Sequence, residues 1–366
     1  MADSIPETQK AYLVPELGGT VNLVTDYPVP KPGPNEVLVK VLYTGVCQSD
    51  LHTARGTAPG ADGKFITDIK LPHVGGHEGV GRVVQVGPDE ASTSRGEVAN
   101  VKEGDVVGIR FLARVCHECE FCTSGREQHC QQATNHLHHE DGSFQEYCVL
   151  DTKYLTLLPA DIDLSVVGPV LCAGVTAYKA VKNAGLSTGQ WLVVVGAGGG
   201  LGHFAIQYGK VAGANVVGID TGKVKQDFIE SLGGKFVDFS KSPNIVEEIK
   251  TLTGGGAHAA IVTSGSPKAF SGAVDMLRIG GTLCCIGIPP GDVHLTTPVA
   301  TIIIKGLKVV GNLVGSMSET LEAVELVRKG QVKPHIEVRD FDQLTEVYEL
   351  LERGDILGRI VLRVAG

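Results

Sequence analysis

Four cysteines fall within fifteen residues, in the pattern Cys-x2-Cys-x2-Cys-x7-Cys. Closely spaced thiolates suit a tetrahedral zinc ion, and four protein ligands that leave no open position are typical of a structural site. The alternatives are an iron–sulfur cluster or four unrelated buried or reactive thiols, although nothing else in the sequence indicates electron transfer. The cysteines are Cys116, Cys119, Cys122 and Cys130.

A second group of metal-binding residue types is scattered along the chain. Cys47 follows a predicted strand, His77 lies in the motif Gly-Gly-His-Glu-Gly, and Cys172 lies in Leu-Cys-Ala-Gly. Two thiolates and one imidazole would leave a fourth coordination position open, as catalytic zinc sites do. Spacing alone does not connect the three residues, and a lone Cys after a strand is more often part of the core.

A glycine-rich loop follows the apolar run 191–195 and precedes a predicted helix. Glycines let the backbone approach a pyrophosphate, and the helix N-terminus attracts its negative charge. The spacing is G-x-x-G-x-x-G rather than the usual G-x-G-x-x-G. The candidate cofactor contacts in the loop are Gly196, Gly198, Gly199, Gly200, Leu201 and Gly202.

An acidic residue stands at the end of the next predicted strand. It is Asp220, eighteen residues after Gly202. A carboxylate there can accept hydrogen bonds from the adenosine ribose hydroxyls, and it would repel a 2′-phosphate. The sequence therefore favours NAD over NADP, although the nearby Lys223 weakens that preference slightly.

The predicted elements change character near residue 170. Before it, short alternating runs such as 36–42 and 81–86, broken by Gly and Pro, indicate a β-rich domain. After it, buried strands alternate with helices, which predicts a parallel sheet covered on both faces. Beyond about residue 305 the chain leaves this unit, with a predicted helix at 318–330 and a strand at 359–363.

Composition excludes several classes of protein. A net charge of −9 argues against a general nucleic-acid binder. The N-terminus has no signal-peptide pattern, and no window of about 18 residues is apolar and free of charge. Nine cysteines without a secretory signal do not predict a disulfide framework. We therefore expect a cytoplasmic protein that does not engage membranes.

The motifs together resemble the zinc-containing medium-chain alcohol dehydrogenases, and most closely the fungal, yeast-type branch. The similarity runs from about residue 10 to the end of the chain. The segments that carry it are 45–52, 74–79, the four-cysteine lobe, 141–145, 171–176 and the glycine loop near 200. The resemblance implies an α/β fold, with a β-rich GroES-like catalytic domain (1–168), a Rossmann NAD-binding domain (169–305) and a C-terminal return to the catalytic domain (306–366).

The resemblance also implies roles for the residues around the scattered metal set. Cys47, His77 and Cys172 would bind a catalytic zinc ion, in addition to the structural zinc of the four-cysteine lobe. Glu78 matches an acidic residue that can approach the metal, and Asp50 matches a carboxylate that orients the histidine ligand. For Glu78 and Asp50 the alternative is a solvated surface carboxylate.

Two further residues match the proton relay of the family. Ser49 would take the proton of the alcohol, and His52 would pass it outward, because the pKa of histidine lies near neutrality. Without the family, His52 would be read as a surface histidine. Lys225 matches a basic residue that contacts the adenosine ribose, with a solvated lysine as the alternative.

The chain departs from the yeast-type pattern at its pocket. Gln48 stands where close relatives carry a basic residue near the pyrophosphate, so cofactor binding should be modestly weaker. The segment 57–70 is several residues longer than in those relatives, Ala58 replaces a pocket tryptophan, and Phe111 stands where another is common. These changes predict a roomier substrate pocket.

We expect an NAD-dependent alcohol dehydrogenase that moves a hydride reversibly between a primary or secondary alcohol, or its aldehyde or ketone, and NAD. The alternative is a specialised carbonyl or ketone reductase of the same fold for a larger metabolite. A non-enzymatic protein on this fold is disfavoured, because the zinc ligands and both relay residues are all present. By resemblance the enzyme is a homotetramer. We interpret His136, His138 and His139 as solvated loop residues.

Overall fold

Short strands dominate the first 160 residues, as the alternating pattern predicts. The computed structural model describes residues 4–88, 100–289 and 291–365. In the first part, helices are short: α1 (Gln48–Ala54) and α2 (Glu120–Thr123), with a 3-10 turn at Glu127–His129. The strands are β1 (Thr8–Val14), β2 (Asn22–Pro28), β3 (Glu36–Gly45), β4 (His73–Val74), β5 (Gly79–Val86), β6 (Val106–Ile109), β7 (Leu112–Arg114), β8 (Thr134–Asn135), β9 (Tyr147–Asp151) and β10 (Thr156–Leu157).

The middle of the chain alternates helices and strands. Its helices are α3 (Leu164–Val167), α4 (Ala173–Ala184), α5 (Gly202–Val211), α6 (Lys223–Ser231), α7 (Ile245–Thr253), α8 (Pro267–Asp275) and α9 (Val299–Lys305), with a 3-10 turn at Gly168–Leu171. Its strands are β11 (Trp191–Val195), β12 (Asn215–Asp220), β13 (Lys235–Asp238), β14 (Ala257–Val262), β15 (Leu277–Cys285) and β16 (Lys308–Gly311).

The C-terminal segment completes the β-rich part. It contains α10 (Met317–Arg328), β17 (Ile336–Asp340), a 3-10 turn at Phe341–Gln343, α11 (Leu344–Arg353) and β18 (Arg359–Arg363). Within the described residues one mixed sheet runs β10-β6-β5-β3-β18-β17, and β9 also pairs with β3. Because β18 pairs antiparallel with the end of β3, both ends of the chain build the same sheet.

The middle strands form one parallel sheet, ordered β13-β12-β11-β14-β15-β16 in the described part of the chain. With β11 counted as the first strand, this order is 3-2-1-4-5-6, the Rossmann arrangement. Successive residues of β11 point to opposite faces: Leu192 and Val194 enter one core cluster, and Val193 enters the other. Helices cover both faces, which explains why the strands are apolar throughout.

The two-domain α/β fold class predicted from the sequence is confirmed. The predicted boundary at residue 305 falls before β16, which pairs in parallel with β15. A limit at 305 would separate this strand from its sheet, so we propose that the return to the catalytic domain begins after Gly311.

No single helix in the described residues is long and apolar enough to cross a membrane. The helices Leu164–Leu171 and Ala173–Ala184 reach that length and composition only as a pair, with a bend of 52° between them.

Candidate active site

The chain after β3 brings Cys47 to the wall of a cleft, and Asp50 follows three residues later in α1. Cys47 is the N-cap of α1, and its backbone N–H donates to Asp50 Oδ2 at 2.9 Å. The other oxygen of Asp50 accepts from the Gly76 N–H at 3.2 Å and from His77 Nδ1 at 2.8 Å. One buried carboxylate therefore holds both segments in register and sets the tautomer of His77.

The second ring nitrogen of His77, Nε2, faces the two cysteines of the predicted catalytic metal site, Cys47 and Cys172. This nitrogen lies 3.2 Å from the Sγ of Cys172, which enters the site where the 3-10 turn ends and α4 begins. Ligand atoms of Cys47, His77, Glu78 and Cys172 all lie within 4.8 Å of one another. The fold thus brings together residues that their spacing could not connect.

The chemistry of this donor set fits a metal ion. A hydrogen bond from Cys172 lowers the pKa of the Cys47 thiol well below its ordinary value, so Cys47 has thiolate character. The Oε2 atom of Glu78 is buried beside these donors and has no hydrogen-bond partner. Two sulfurs, one imidazole and an unsatisfied carboxylate oxygen form a set that zinc accepts.

Glu78 is also part of a buried ion pair that sequence reasoning missed. Its Oε1 contacts the Nη2 of Arg359 in β18, 281 residues away. Burial raises the pKa of Glu78, and the guanidinium charge opposes that shift. Arg359 also underlies the glycine loop, since a Cβ built on Gly200 would lie 2.7 Å from its Cδ. No local pattern in the strand 359–363 signals this role.

The two predicted relay residues line the same cleft as the metal-binding set. The Ser49 Oγ lies 3.8 Å from Cys47 Sγ. His52 lies one turn further along α1, with its Nδ1 3.0 Å from the Thr57 hydroxyl and its Nε2 3.5 Å from Gln48 Nε2. Burial lowers the pKa of His52, so the imidazole is mainly neutral at neutral pH.

The glycine loop connects β11 to α5 beside Asp220. The Gly198 N–H donates to Asp220 Oδ2 at 2.9 Å, and the Lys225 ammonium lies 3.0 Å from Oδ1. A Cβ on Gly202 would lie 2.3 Å from the Gly196 carbonyl, so the tight loop requires glycine there. Lys223 pairs instead with Asp227 on the exposed side of α6.

The cleft that joins these groups has a volume of about 1170 Å³. It lies at the carboxyl ends of the parallel strands, next to β11 and β14. The strand order of the sheet reverses between these two strands, and dinucleotides bind at this point in the Rossmann arrangement. Ala58 and Phe111 both line it, as does Gln48. Sequence reasoning missed several lining residues from the loops after β14, β15 and β16, namely Thr263, Ser264, Ile288, Leu313 and Val314.

The four-cysteine lobe forms a separate cluster whose sulfur atoms lie within 4.8 Å of one another. Cys116 Sγ lies 3.8 Å from the sulfur of Cys122 and 3.6 Å from that of Cys130. A tetrahedron with zinc–sulfur distances of about 2.3 Å has edges of about 3.8 Å, so the spacing fits zinc. Backbone N–H groups of Glu118 and Cys119 lower the pKa of the Cys116 thiol to about 6.

The interpretation of the histidine cluster as solvated was wrong for two of its members. His136 and His138 are buried, and only His139 is exposed. The loop folds back on β7, where the His136 N–H donates to the Phe111 carbonyl at 3.0 Å, and His136 Nδ1 bonds the Asp141 carbonyl at 2.9 Å.

Two family models and one curated relative match this chain. Residues 33–160 match the family described as alcohol dehydrogenase GroES-like domain, and residues 200–329 match zinc-binding dehydrogenase. An alcohol dehydrogenase of Schizosaccharomyces pombe (strain 972 / ATCC 24843) is 38% identical over 361 residues, covering 98% of this chain and 99% of the relative.

Solved structures of dehydrogenases and reductases are also similar to this chain. A crystal structure of an NAD-dependent alcohol dehydrogenase is 28% identical, with a TM-score of 0.86, and the match covers 97% of this chain and 100% of that one. An acetophenone reductase from Geotrichum candidum NBRC 4597, solved with NAD, is 26% identical, with a TM-score of 0.81 and 98% of both chains covered.

Proposed function

Because this chain belongs to the zinc-dependent medium-chain alcohol dehydrogenase family, we propose that it catalyses reversible hydride transfer between an alcohol and NAD. The observation that carries the proposal is the convergence of the metal-binding set, the two relay residues and the glycine loop on one cleft. A protein that only bound a dinucleotide would need no such convergence.

Catalytic zinc would be held by Cys47, His77 and Cys172, with Glu78 as the nearby carboxylate. When bound, the ion would lower the pKa of an alcohol hydroxyl or polarise a carbonyl. Asp50 keeps the proton of His77 on Nδ1, which leaves Nε2 free as a ligand. The four cysteines of the lobe would hold a structural zinc ion.

The chain supplies its own groups for moving the substrate proton. Ser49 accepts the proton of the substrate hydroxyl at Oγ and releases its own hydroxyl proton towards His52, and His52 then passes one proton to solvent. Thr57 contacts Nδ1 of His52, which leaves Nε2 facing Gln48 at the cleft. Because burial lowers the pKa of His52, its neutral form is ready to accept a proton during alcohol oxidation.

NAD is the cofactor that the acidic end of β12 favours. Asp220 presents a carboxylate to the adenosine ribose, and Lys225 lies beside it to contact the same sugar. Lys223 pairs with Asp227 on the exposed side of α6, which partly neutralises the charge that would attract a 2′-phosphate. The N–H groups of the loop residues and the start of α5 would receive the pyrophosphate.

We expect a homotetramer in the cytoplasm. An apolar edge, defined by Val299, Ile303, Ile304 and Val309, lies on α9 and the edge strand β16. Ile303 and Ile304 are 72% and 79% exposed, and such contiguous exposed apolar side chains mark protein interfaces.

A specialised reductase for a larger carbonyl compound is the second candidate. The small side chain of Ala58 in the cleft favours this second candidate. Ala58 leaves room where a bulky residue would exclude long or branched substrates. The acetophenone reductase among the structural relatives acts on an aromatic ketone by its name, and aromatic ketones therefore belong in the substrate panel.

Turnover, followed by the absorbance of the reduced nicotinamide, tests both the alcohol dehydrogenase and the reductase function. We expect turnover with NAD and a panel of alcohols from ethanol to branched and aromatic ones, little turnover with NADP, and loss of activity after zinc is removed by a chelator. Activity that survives complete zinc removal would contradict the mechanism. If no alcohol, aldehyde or ketone is turned over, the protein is not a dehydrogenase for small substrates.

A further inference from the structure

One buried histidine of the cleft has no role in the proposed reaction. His138 lines the cleft together with Phe111 and Leu137. The Phe111 ring packs edge-on against His77, with ring centroids 6.3 Å apart, and the Phe111 carbonyl accepts the His136 N–H. The loop that carries His138 therefore lies at the end of the cleft where the metal-binding residues are, rather than at the ribose-binding end.

The backbone of this loop is fixed from two sides. The Asn135 side-chain oxygen accepts the N–H groups of Leu137 and His138 at 3.1 and 2.9 Å. The carbonyl of His138 accepts the Lys70 N–H at 2.8 Å. His138 is thus held in place before any substrate arrives, as a recognition group must be.

The side chain of His138 has an unused hydrogen-bonding atom. Only 9% of the residue is exposed, and its Nε2 is buried without a hydrogen-bond partner. Buried polar side-chain atoms nearly always have a partner, so an exception in a binding cleft points to a group that arrives with a ligand. His138 belongs to neither cluster of potential metal ligands in the described residues.

The imidazole of His138 is uncharged under ordinary conditions. Burial lowers the pKa of His138 to about 4. A neutral imidazole donates one hydrogen bond and accepts one. It therefore suits an uncharged oxygen of the substrate, and it offers no charge to attract a carboxylate.

We propose that His138 is a specificity-determining residue that hydrogen-bonds a second, uncharged oxygen of the substrate, remote from the reacting carbon. The proposal rests on the dehydrogenase function proposed above. The substrate class is then alcohols or carbonyl compounds that carry an additional hydroxyl or ether group. Phe111 and Leu137, which line the cleft with His138, are apolar, so His138 is the hydrogen-bonding side chain of these three.

Matched substrates of equal length test this assignment. We would measure kcat and KM for 1-pentanol, 3-methoxy-1-propanol and 1,4-butanediol with the wild type, His138→Phe and His138→Gln. The wild type should prefer at least one oxygenated substrate over 1-pentanol by about tenfold or more, because a site built for a hydrogen bond rejects the analogue that lacks it. His138→Phe should abolish that preference mainly through KM, and His138→Gln should restore part of it.

His294→Phe is the control, because His294 is an exposed histidine that does not line the cleft. It should leave the preference unchanged, and thermal unfolding would verify that each variant is folded. Turnover of 1-pentanol by a wild type without any preference for the oxygenated substrates would overturn this assignment but not the dehydrogenase function. If no alcohol is turned over, calorimetry would measure the binding of the three compounds instead. Equal binding of all three, or no binding, would overturn the assignment of His138.

Discussion

At the scale of single residues, Asp50 is the group on which the catalytic donor set depends. It accepts three hydrogen bonds, from two backbone N–H groups and from His77, and it is almost fully buried. An amide in its place cannot accept from all three donors, because one end of the amide is itself a donor. The orientation of His77 and the position of Cys47 therefore share one cause.

Asp50→Asn should lower both zinc affinity and kcat/KM by about 10- to 100-fold, as expected when the partner of a metal-binding histidine is lost. Zinc content after dialysis against a graded chelator, measured by mass spectrometry, gives the affinity independently of turnover. Glu349→Gln, at an exposed position of α11, is the control. Unchanged zinc retention in Asp50→Asn would contradict the role of the carboxylate.

Gln48→His restores a basic side chain beside the cleft. We expect the Kd of NADH to fall by about two- to fivefold, since a single exposed charge interaction contributes roughly 0.5–1 kcal/mol. Fluorescence titration of NADH at pH 6, where more of the histidine is charged, would measure this. The same Kd for both proteins would show that position 48 does not contact the pyrophosphate.

His203 links stability to pH, because it is fully buried in α5 beneath the glycine loop. Burial lowers the pKa of His203 to about 3, whereas an unfolded chain protonates histidine near pH 6.5. Stability should fall as pH drops below 6.5, since the unfolded state then binds a proton that the folded state refuses. Between pH 4.5 and 6, His203→Gln should reduce the slope of the free energy of unfolding against pH by up to about 1.4 kcal/mol per pH unit. Urea unfolding, with the exposed His294→Gln as control, measures the difference.

At the scale of elements, the segment 57–66 shapes the substrate side of the cleft. It is a short hairpin, closed by the bridge between Pro59 and Phe65 and by the bond from the Ile66 N–H to the Ala58 carbonyl at 2.8 Å. Its tip approaches the loop after β15, because a Cβ on Gly63 would lie 3.0 Å from Asp292 Oδ1. The insertion therefore reaches from the β-rich part of the chain to the parallel-sheet part.

Ala58→Trp should narrow the cleft and shift preference towards ethanol. Each methylene that a pocket accepts or excludes contributes about 1–3 kcal/mol, so the kcat/KM ratio of ethanol to a branched or aromatic alcohol should rise at least about tenfold. Steady-state kinetics over the alcohol panel measure the ratio, with Ala61→Ser, also at the cleft, as a variant of small volume change. A wild type that already prefers ethanol to every larger alcohol would contradict the prediction of a roomy pocket.

At the scale of the whole molecule, the exposed apolar edge of α9 and β16 is the surface through which we propose that chains associate. Strand β16 ends the parallel sheet, with β15 as its neighbour within the described residues. An unpaired strand edge beside exposed isoleucines would pair with another chain and continue the sheet. The Rossmann part, rather than the β-rich part, is therefore the expected centre of assembly.

If the chain forms the proposed tetramer through this edge, Ile303→Glu should reduce it to smaller species, because a carboxylate buried in the interface would lose its hydration without a partner. Light scattering coupled to size-exclusion chromatography gives the mass directly. Val211→Glu changes an exposed apolar residue at the end of α5 and should leave the mass unchanged. An Ile303→Glu protein of wild-type mass would exclude this edge as the interface.

The sequence by itself determined the features whose residues are neighbours along the chain. The four-cysteine lobe, the strand–glycine loop–helix unit with Asp220, and the two-part α/β architecture all follow from local spacing and hydrophobic period. The tertiary structure alone decided which distant residues meet: His77 and Cys172 are 95 positions apart, and Glu78 and Arg359 are 281 apart. It also decided that His138 is buried, because contacts such as the one from Lys70 bury a loop whose composition is polar. Periodicity reports the face that an element buries, whereas contacts between loops depend on how separate elements pack.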